Sequence, residues 1–273
     1  MAKKRAEKKR ADIYLTEVKA AESREQARRL IEEGRVFVNG KPISKPASLV
    51  EEGSHISVVE KLPYVSRGGV KLEKAIHDFK IDVRGKTAID IGASTGGFTD
   101  CLLKHGARHV TAIDVGYGQL AWQLRSDPRV TVLERTNIRY IDPALLPSLA
   151  DLITIDVSFI SLEKIHDSVS KLLKPTGELI ALVKPQFEVG KERVGKKGVV
   201  RSAEAHKDVL KRIWEFYERQ GMFIKGLTFS PIKGPEGNIE FLLYASRMNE
   251  STSLKDREAI IDEVVETAHR QAK

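Results

Sequence analysis

Cysteine occurs once in 273 residues, as Cys101, which excludes an internal disulfide and any cysteine-rich zinc site. No apolar run approaches the ~20 residues needed to span a bilayer. The opening MAKKRAEKKRAD is basic, yet the apolar core of a secretory signal does not follow it. No internal repeat is present. These absences lead to the expectation of a soluble, cytoplasmic chain with no metal, no membrane partner and no obligate protein partner. What is abundant is positive charge: the formal net charge of +8 favours a polyanionic partner such as nucleic acid. The hydrophobic fraction of 41% suffices for a packed core, and the length suits two domains.

The organising stretch runs from Thr87 to Asp114. Thr87–Ile91 is a short apolar run that fits a buried strand, and Gly92-Ala93-Ser94-Thr95-Gly96-Gly97 is a glycine-bearing turn. Phe98, Cys101 and Leu102 then repeat at helical spacing, and His109–Ile113 is a second apolar run ending on Asp114. Together these make a nucleotide-binding βαβ unit, whose glycines let backbone approach a ligand and whose terminal acid accepts ribose hydroxyls. The spacing is G-x-x-x-G-G, not the dinucleotide G-x-G-x-x-G. Asp90, two residues before the first glycine, suits the ammonium of an amino-acid moiety. S-adenosylmethionine carries that ammonium and no pyrophosphate, so it is the expected cofactor. Asp90, Gly92, Ser94, Gly96 and Gly97 should line its methionine portion, and Asp114 its ribose. The alternative is a glycine turn that closes a βα connection without any ligand.

Residues 3–10 hold six basic residues and one acid, and read as a solvated tail that gains order on a phosphate backbone. A short helix is expected over 12–18. Ser23 and Gln26 have capping-box spacing for a helix over 24–33, with Ala27, Leu30 and Ile31 on one face and Arg24, Arg28 and Arg29 elsewhere. Residues 35–38 alternate like a strand, Asn39-Gly40 is a hairpin signal, Ile43 resumes the return strand, and 55–59 adds another. This pattern over 23–40 resembles the S4 RNA-binding module, in which arginines grip structured RNA. The resemblance implies RNA contacts from Arg5, Arg10, Arg24, Arg28, Arg29, Lys41 and Arg67. Guanidiniums so spaced hold phosphates and carry little sequence information. The plainer reading is an arginine-rich helix that is merely solvated.

Residues 61–67 read as a linker punctuated by Pro63, and Gly68-Gly69 as a flexible turn before a helix from Lys71 to Phe79. Beyond Asp114 a helix is expected near 119–124, strands over 130–133, 152–156 and 179–184, and a helix between the last two that stops at Lys174-Pro175-Thr176-Gly177. Asn137 either meets the base edge of an adenine or makes a simple polar turn. Phe159 flanks the adenosyl group or a target base, or else belongs to the core. The polar stretch 186–201 reads as a mobile basic loop beside the site. An amphipathic helix over 203–220, a hairpin of 223–230 with 238–245, and a polar helix within 249–273 complete the chain, with Glu240 at the start of the last strand.

Ligands of open α/β sheets bind outside the carboxyl ends of the strands, where Asp114, Asp156 and Lys184 all fall. A lysine between carboxylates is a poor core-packing solution, although at a strand end Lys184 could equally be an ordinary surface charge. The set Lys71, Asp156, Lys184 and Glu240 resembles the Lys-Asp-Lys-Glu tetrad of the FtsJ-type RNA ribose 2′-O-methyltransferases. With the S4-like module and the linker Val65-Ser66-Arg67-Gly68-Gly69, residues 5–247 resemble the TlyA-like family, ribosomal RNA 2′-O-methyltransferases often labelled haemolysins. The resemblance implies an α/β fold. Its parts are a Rossmann-like class I methyltransferase sheet with a terminal antiparallel hairpin over 68–248, and a small α+β S4-like RNA-binding domain over 1–60 before it. It also implies ribosomal RNA or ribosomal subunits as partner, with cytidines of the large and, given the long basic N-terminus, the small subunit as targets. The implied reaction is an in-line displacement in which Lys184 orients or deprotonates the ribose 2′-hydroxyl. Free lysine titrates near ~10.4, so a base role needs desolvation and a neighbouring cation, which Lys71 could supply. Asp156 and Glu240 pull the other way and suit fixing the ammonium's direction. Three rivals stand: a membrane-lytic protein, a catalytically silent RNA-binding protein, and a nicotinamide dehydrogenase, which the glycine spacing disfavours.

Overall fold

The computed structural model describes residues 8–32, 34–43, 45–59, 63–195, 197–249 and 256–271. Arg5, most of the expected tail and residues 61–62 of the expected linker lie outside the described residues. The chain divides into two compact units, Met1–Ser66 and Arg67–Lys273.

In the first unit, helices Ala11–Glu17 and Arg24–Glu32 bury Ala11, Tyr14, Leu15, Ala27, Leu30 and Ile31 in one cluster with Val36 and Val50. Strand Val36–Val38 pairs with Lys41–Pro42 across Asn39-Gly40 and with Ile56–Val58 on its other side. Two expectations are corrected here. Lys8–Arg10 is no tail: it pairs antiparallel with Leu49–Glu51, a partner forty residues away that a lysine-rich run does not advertise. The Ser23 cap forms, with the Gln26 amide donating to Ser23 Oγ at 3.1 Å, but the Gln26 side chain accepts from Glu22 rather than Ser23.

The second unit is built on a seven-stranded sheet among the described residues. Its strands are β1 (Thr87–Ile91), β2 (His109–Ile113), β3 (Val130–Leu133), β4 (Ala150–Ile155), β5 (Leu173–Val183), β6 (Phe223–Phe229) and β7 (Phe241–Ser246). The spatial order is β3-β2-β1-β4-β5-β7-β6, with the first five parallel and β7 antiparallel between β5 and β6. That is the doubly wound arrangement with a terminal hairpin, and every residue of β1 is buried, as a strand covered on both faces must be.

The helices are α1 (Gly68–Asp78), α2 (Gly97–Lys104), α3 (Trp122–Arg125), α4 (His166–Leu172), α5 (Pro185–Glu188), α6 (Ala203–Arg219) and α7 (Arg257–Gln271). Several boundaries depart from expectation. The two glycines at 68 and 69 are not a flexible turn but the first turn of α1, which puts Lys71 inside a helix already begun. The 119–124 helix shrinks to α3. Lys174 to Gly177 does not end a helix: it forms an irregularity inside β5, between the pairs Leu173↔Ala150 and Glu178↔Leu152. The stretch 186–201 is not simply a loose loop, because α5 opens it and Val199 and Val200 are buried near its end. The polar C-terminal helix hides one apolar face: Ile261, Val265 and Ala268 of α7 join the core with Val209, Ile213 and Trp214 of α6. No helix among the described residues is long and apolar enough to cross a membrane.

One charged group anchors the first unit. Asp12 is fully buried and accepts both Arg10 Nε and Nη2 at 3.0 Å and Arg24 Nε at 3.0 Å. The Arg10 hydrogen bonds hold its carboxyl down at about 2. Replacing it removes the buried carboxylate that ties Arg10 and Arg24 together and leaves a gap in its place. Asp12→Ala should cost about 1–3 kcal/mol. Faster amide exchange over residues 11–32 would report that loss, and unchanged exchange would contradict it.

Candidate functional site

The carboxyl ends of the parallel strands open onto a cleft of about 450 Å³. Gly92, Ser94, Asp114, Asn137, Asp156 and Phe159 are among its lining residues, with Ile113, Val115, Ile138 and Val157 as apolar walls. Its floor is set by a close crossing of chains. Gly92 has φ 84°, its amide donates to Ile113 O at 2.8 Å, and a Cβ there would collide with the backbone oxygen of Asp156. The Asp156 amide in turn donates to Ile91 O at 2.8 Å. The glycine therefore serves first to bring the ends of β1 and β4 together.

Asp114 sits half-buried at the end of β2 and accepts the backbone amides of Gly116 at 2.6 Å and Ser94 at 2.7 Å. Those bonds fix its carboxylate at the rim of the cleft. Asn137 makes the expected polar turn, its side chain accepting from Arg139 N at 3.1 Å, and it also lines the cleft. Phe159 is 90% exposed, which removes the core reading. It holds φ 65°, rare for an aromatic, and its ring lies 4.9 Å from that of Phe187.

Three expected cofactor residues do not reach the lining. Gly96, at φ 96°, caps α2, and a side chain there would strike Leu120 and Leu124, so packing explains it. Gly97 is buried as the first residue of α2. Asp90 is fully buried and accepts Thr99 Oγ1 at 2.7 Å and Thr154 Oγ1 at 3.2 Å, so both carboxylate oxygens are taken from behind the turn. Burial pushes its carboxyl up to about 7, the hydroxyl of Thr99 opposes that, and the nearby charge of Asp156 adds to it. The direct ammonium contact expected of Asp90 is corrected to a supporting place beneath the glycine turn.

Beside the cleft are two ion pairs. Lys184 Nζ lies 2.6 Å from Asp156 Oδ1 and donates to Ser158 Oγ at 3.0 Å. Lys71 Nζ lies 2.5 Å from Glu240 Oε2. Both lysines are less than a tenth exposed, and Glu240 is buried. The sheet explains how residues so far apart in sequence share one region. Val183 faces Phe241 in the antiparallel β5–β7 ladder, and Lys184 keeps an extended backbone at φ −108°, ψ 99°. Lys184 and Glu240 thus fall one step beyond the last pair, on facing strands and toward the same face. Glu240 stands just before β7 rather than inside it, with its carbonyl accepting Ser230 N at 2.8 Å.

In the first unit, Arg10, Arg24, Arg28, Arg29 and Lys41 are all exposed, Arg10 and Arg24 while also bound to Asp12. Arg67 belongs to the second unit, at the N-terminus of α1. Ser158 and Glu188 were missed. Ser158 lies between two expected residues, and only its distance to Lys184 singles it out. Glu188 is a charged residue that the polarity of its segment disguised as solvated.

Comparison with known proteins agrees with this geometry. The FtsJ-like methyltransferase family matches residues 64–247, and the S4 domain matches residues 9–56. A Bacillus subtilis protein provisionally named rRNA methyltransferase YqxC is 49% identical over 273 residues, covering 98% of this chain and 96% of its own. The 16S/23S rRNA (cytidine-2′-O)-methyltransferase TlyA of Mycobacterium tuberculosis is 43% identical over 241 residues, covering 88% of this chain and 90% of its own. A solved Streptococcus thermophilus chain, provisionally named a hemolysin, superposes with a TM-score of 0.76 at 44% identity, covering 97% of this chain and 96% of that one. The chain belongs to the FtsJ-like methyltransferase family, in its S4-bearing, TlyA-like branch.

Asp90 yields a test of the buried support. An acid whose folded value exceeds its unfolded one holds its proton more tightly when folded. It therefore opposes folding increasingly as pH climbs from about 4 to about 7, and by a constant amount above. Asp90→Asn should gain on the natural chain by roughly 4 kcal/mol across that window in urea unfolding. A difference that does not vary with pH contradicts the assignment.

Proposed function

We propose that this FtsJ-family chain transfers a methyl group from S-adenosylmethionine to ribose 2′-hydroxyls of ribosomal RNA. The observation that carries this reading is the pair of enclosed lysine–carboxylate contacts, Lys184–Asp156 and Lys71–Glu240, at the strand ends beside a cleft rimmed by Asp114. Two enclosed ion pairs add little to stability and suit a site that handles a proton or a polar oxygen.

The cleft fits the cofactor. About 450 Å³ lies within the usual range for small-molecule sites, roughly 300–1,000 Å³. Asp114 would take the ribose hydroxyls, Ile113, Val115 and Ile138 would flank the base with Asn137 at its edge, and the turn at Gly92 and Ser94 would meet the methionine portion. When bound, S-adenosylmethionine supplies an electrophilic methyl group on a sulfonium. Lys184 meets the attacking 2′-oxygen, with Asp156 holding the ammonium in place by charge and Ser158 fixing the direction of its N–H bonds. Lys71 and Glu240 hold the end of β7 against α1 and keep a second charged pair at the rim. A ribose hydroxyl is a weak nucleophile, so correct placement alone contributes a large share of the acceleration. The exposed arginines of the first unit would hold phosphates and supply affinity rather than sequence reading.

The name of the Mycobacterium tuberculosis relative supports cytidine as the target and both ribosomal subunits as substrates. A ribosomal RNA substrate supports a cytoplasmic location. Incubation with labelled cofactor and separate unmethylated subunits, followed by mapping of 2′-O-methyl positions, should reveal new modified cytidines. Label confined to bases or to protein overturns the reading. Lys184→Ala should lower methyl transfer by about 10³-fold or more while cofactor affinity stays within about threefold. Loss of both together would mean that Lys184 serves the cofactor cleft instead.

A further inference from the structure

Glu188 is a buried carboxylate that the chemistry above does not use. It accepts Ser161 Oγ at 2.7 Å, the Leu162 amide at 2.9 Å and Arg212 Nη2 at 3.1 Å. Arg212 also donates to the Glu188 carbonyl at 2.7 Å and pairs with Glu163 at 3.1 Å. Burial pushes the Glu188 carboxyl up, against the opposing Leu162 and Ser161 bonds. A charge so enclosed is costly unless it fixes something.

What it fixes is the chain on both sides of the reacting pair. Glu188 ends α5, which starts immediately after Lys184. Ser161 and Leu162 end the loop that starts at Asp156 and carries Ser158 and Phe159. That loop is held at its near end by the Asp156 amide on Ile91 O and at its far end by Glu188. Between them Phe159 keeps φ 65° while almost fully exposed. A strained, exposed aromatic whose one ring contact is Phe187, itself within α5, persists only where its flanks are over-determined.

We propose that Glu188, braced by Arg212, is a positioning residue for Lys184: it sets the loop that presents the Ser158 hydroxyl to the lysine. An ammonium has three N–H bonds. Ser158 Oγ takes one at 3.0 Å, while Asp156 holds the ammonium by charge at 2.6 Å, so the Ser158 bond sets which way the remaining N–H bonds face. If the loop relaxes, Ser158 leaves and Lys184 keeps only the charge of Asp156 and the face of the Phe187 ring, neither of which fixes the direction of its N–H bonds. The catalytic part of this inference rests on the methyltransferase reading; the clamping part does not.

The test is a double-mutant cycle of Glu188→Gln and Ser158→Ala, with hydrogen exchange at residues 158–162 read in parallel. Each single change should lower kcat about tenfold with KM for the cofactor within about threefold, and the double should also lose only about tenfold. Exchange at 158–162 should quicken about tenfold in Glu188→Gln while α6 is unchanged. Losses that multiply to about a hundredfold, or unaltered exchange, overturn the proposal. If the natural protein transfers no methyl to any subunit while Glu188→Gln still loosens the loop, the reading of function fails and the clamp stands. Ser161→Ala, which removes a single hydroxyl bond, repeats the exchange arm should Glu188→Gln fold poorly.

Discussion

An ammonium cannot be enclosed alone. Removing it from water costs several kcal/mol, and only a well-placed carboxylate with further hydrogen bonds offsets that. The second unit accepts the cost twice, at Lys184–Asp156 and Lys71–Glu240. Apolar residues of similar volume would be as stable or more so, which is why the proposed chemistry is assigned to these pairs. Much of the local structure follows from keeping them paired: Lys71 within the first turns of α1, Asp156 and Lys184 at the ends of β4 and β5, and Glu240 one step before an antiparallel strand.

The sheet order makes this possible. In a wholly parallel sheet the residue before a strand lies at the opposite edge from the residue after its neighbour. Because β7 runs antiparallel beside β5, the residue that enters β7 lies beside the residue that leaves β5. Glu240 thereby joins the carboxyl-end cluster. The crossing at Gly92 adds the other half, since the end of β1 approaches β4 closely enough that no side chain fits between them. The cleft and the Lys184–Asp156 pair thus share the Asp156 loop as a common wall.

Much of this was legible in the residues. The buried run Thr87–Ile91, the glycine turn and the acid at Asp114 define a local unit whose parts are neighbours in sequence, so period and turn chemistry suffice to read it. Partners forty residues apart were not readable: Lys8–Arg10 has a strand's partner in Leu49–Glu51, yet its side chains carry no alternation. Asp90 was read from its distance to the glycine. Its enclosure by Thr99 and Thr154 depends on a helix and a strand that only the fold brings near. Glu188 shows the same limit in reverse, because a charged residue in a polar segment looks solvated until its partners are known. The apolar face of α7 was diluted by the acids and bases around Ile261, Val265 and Ala268.

The first unit adds exposed guanidiniums on a small framework anchored by one buried acid, and the second adds a cleft and two charged pairs. The central claim is that the transferable methyl group comes to rest in front of Lys184. The most direct measurement is a structure of the protein with a non-reactive sulfonium analogue bound. The account predicts the transferable carbon at the open side of the Asp156 loop, within about 5 Å of Lys184 Nζ, leaving room for a hydroxyl oxygen between them. A carbon turned toward Asn137, with protein atoms filling the space before Lys184, would contradict it.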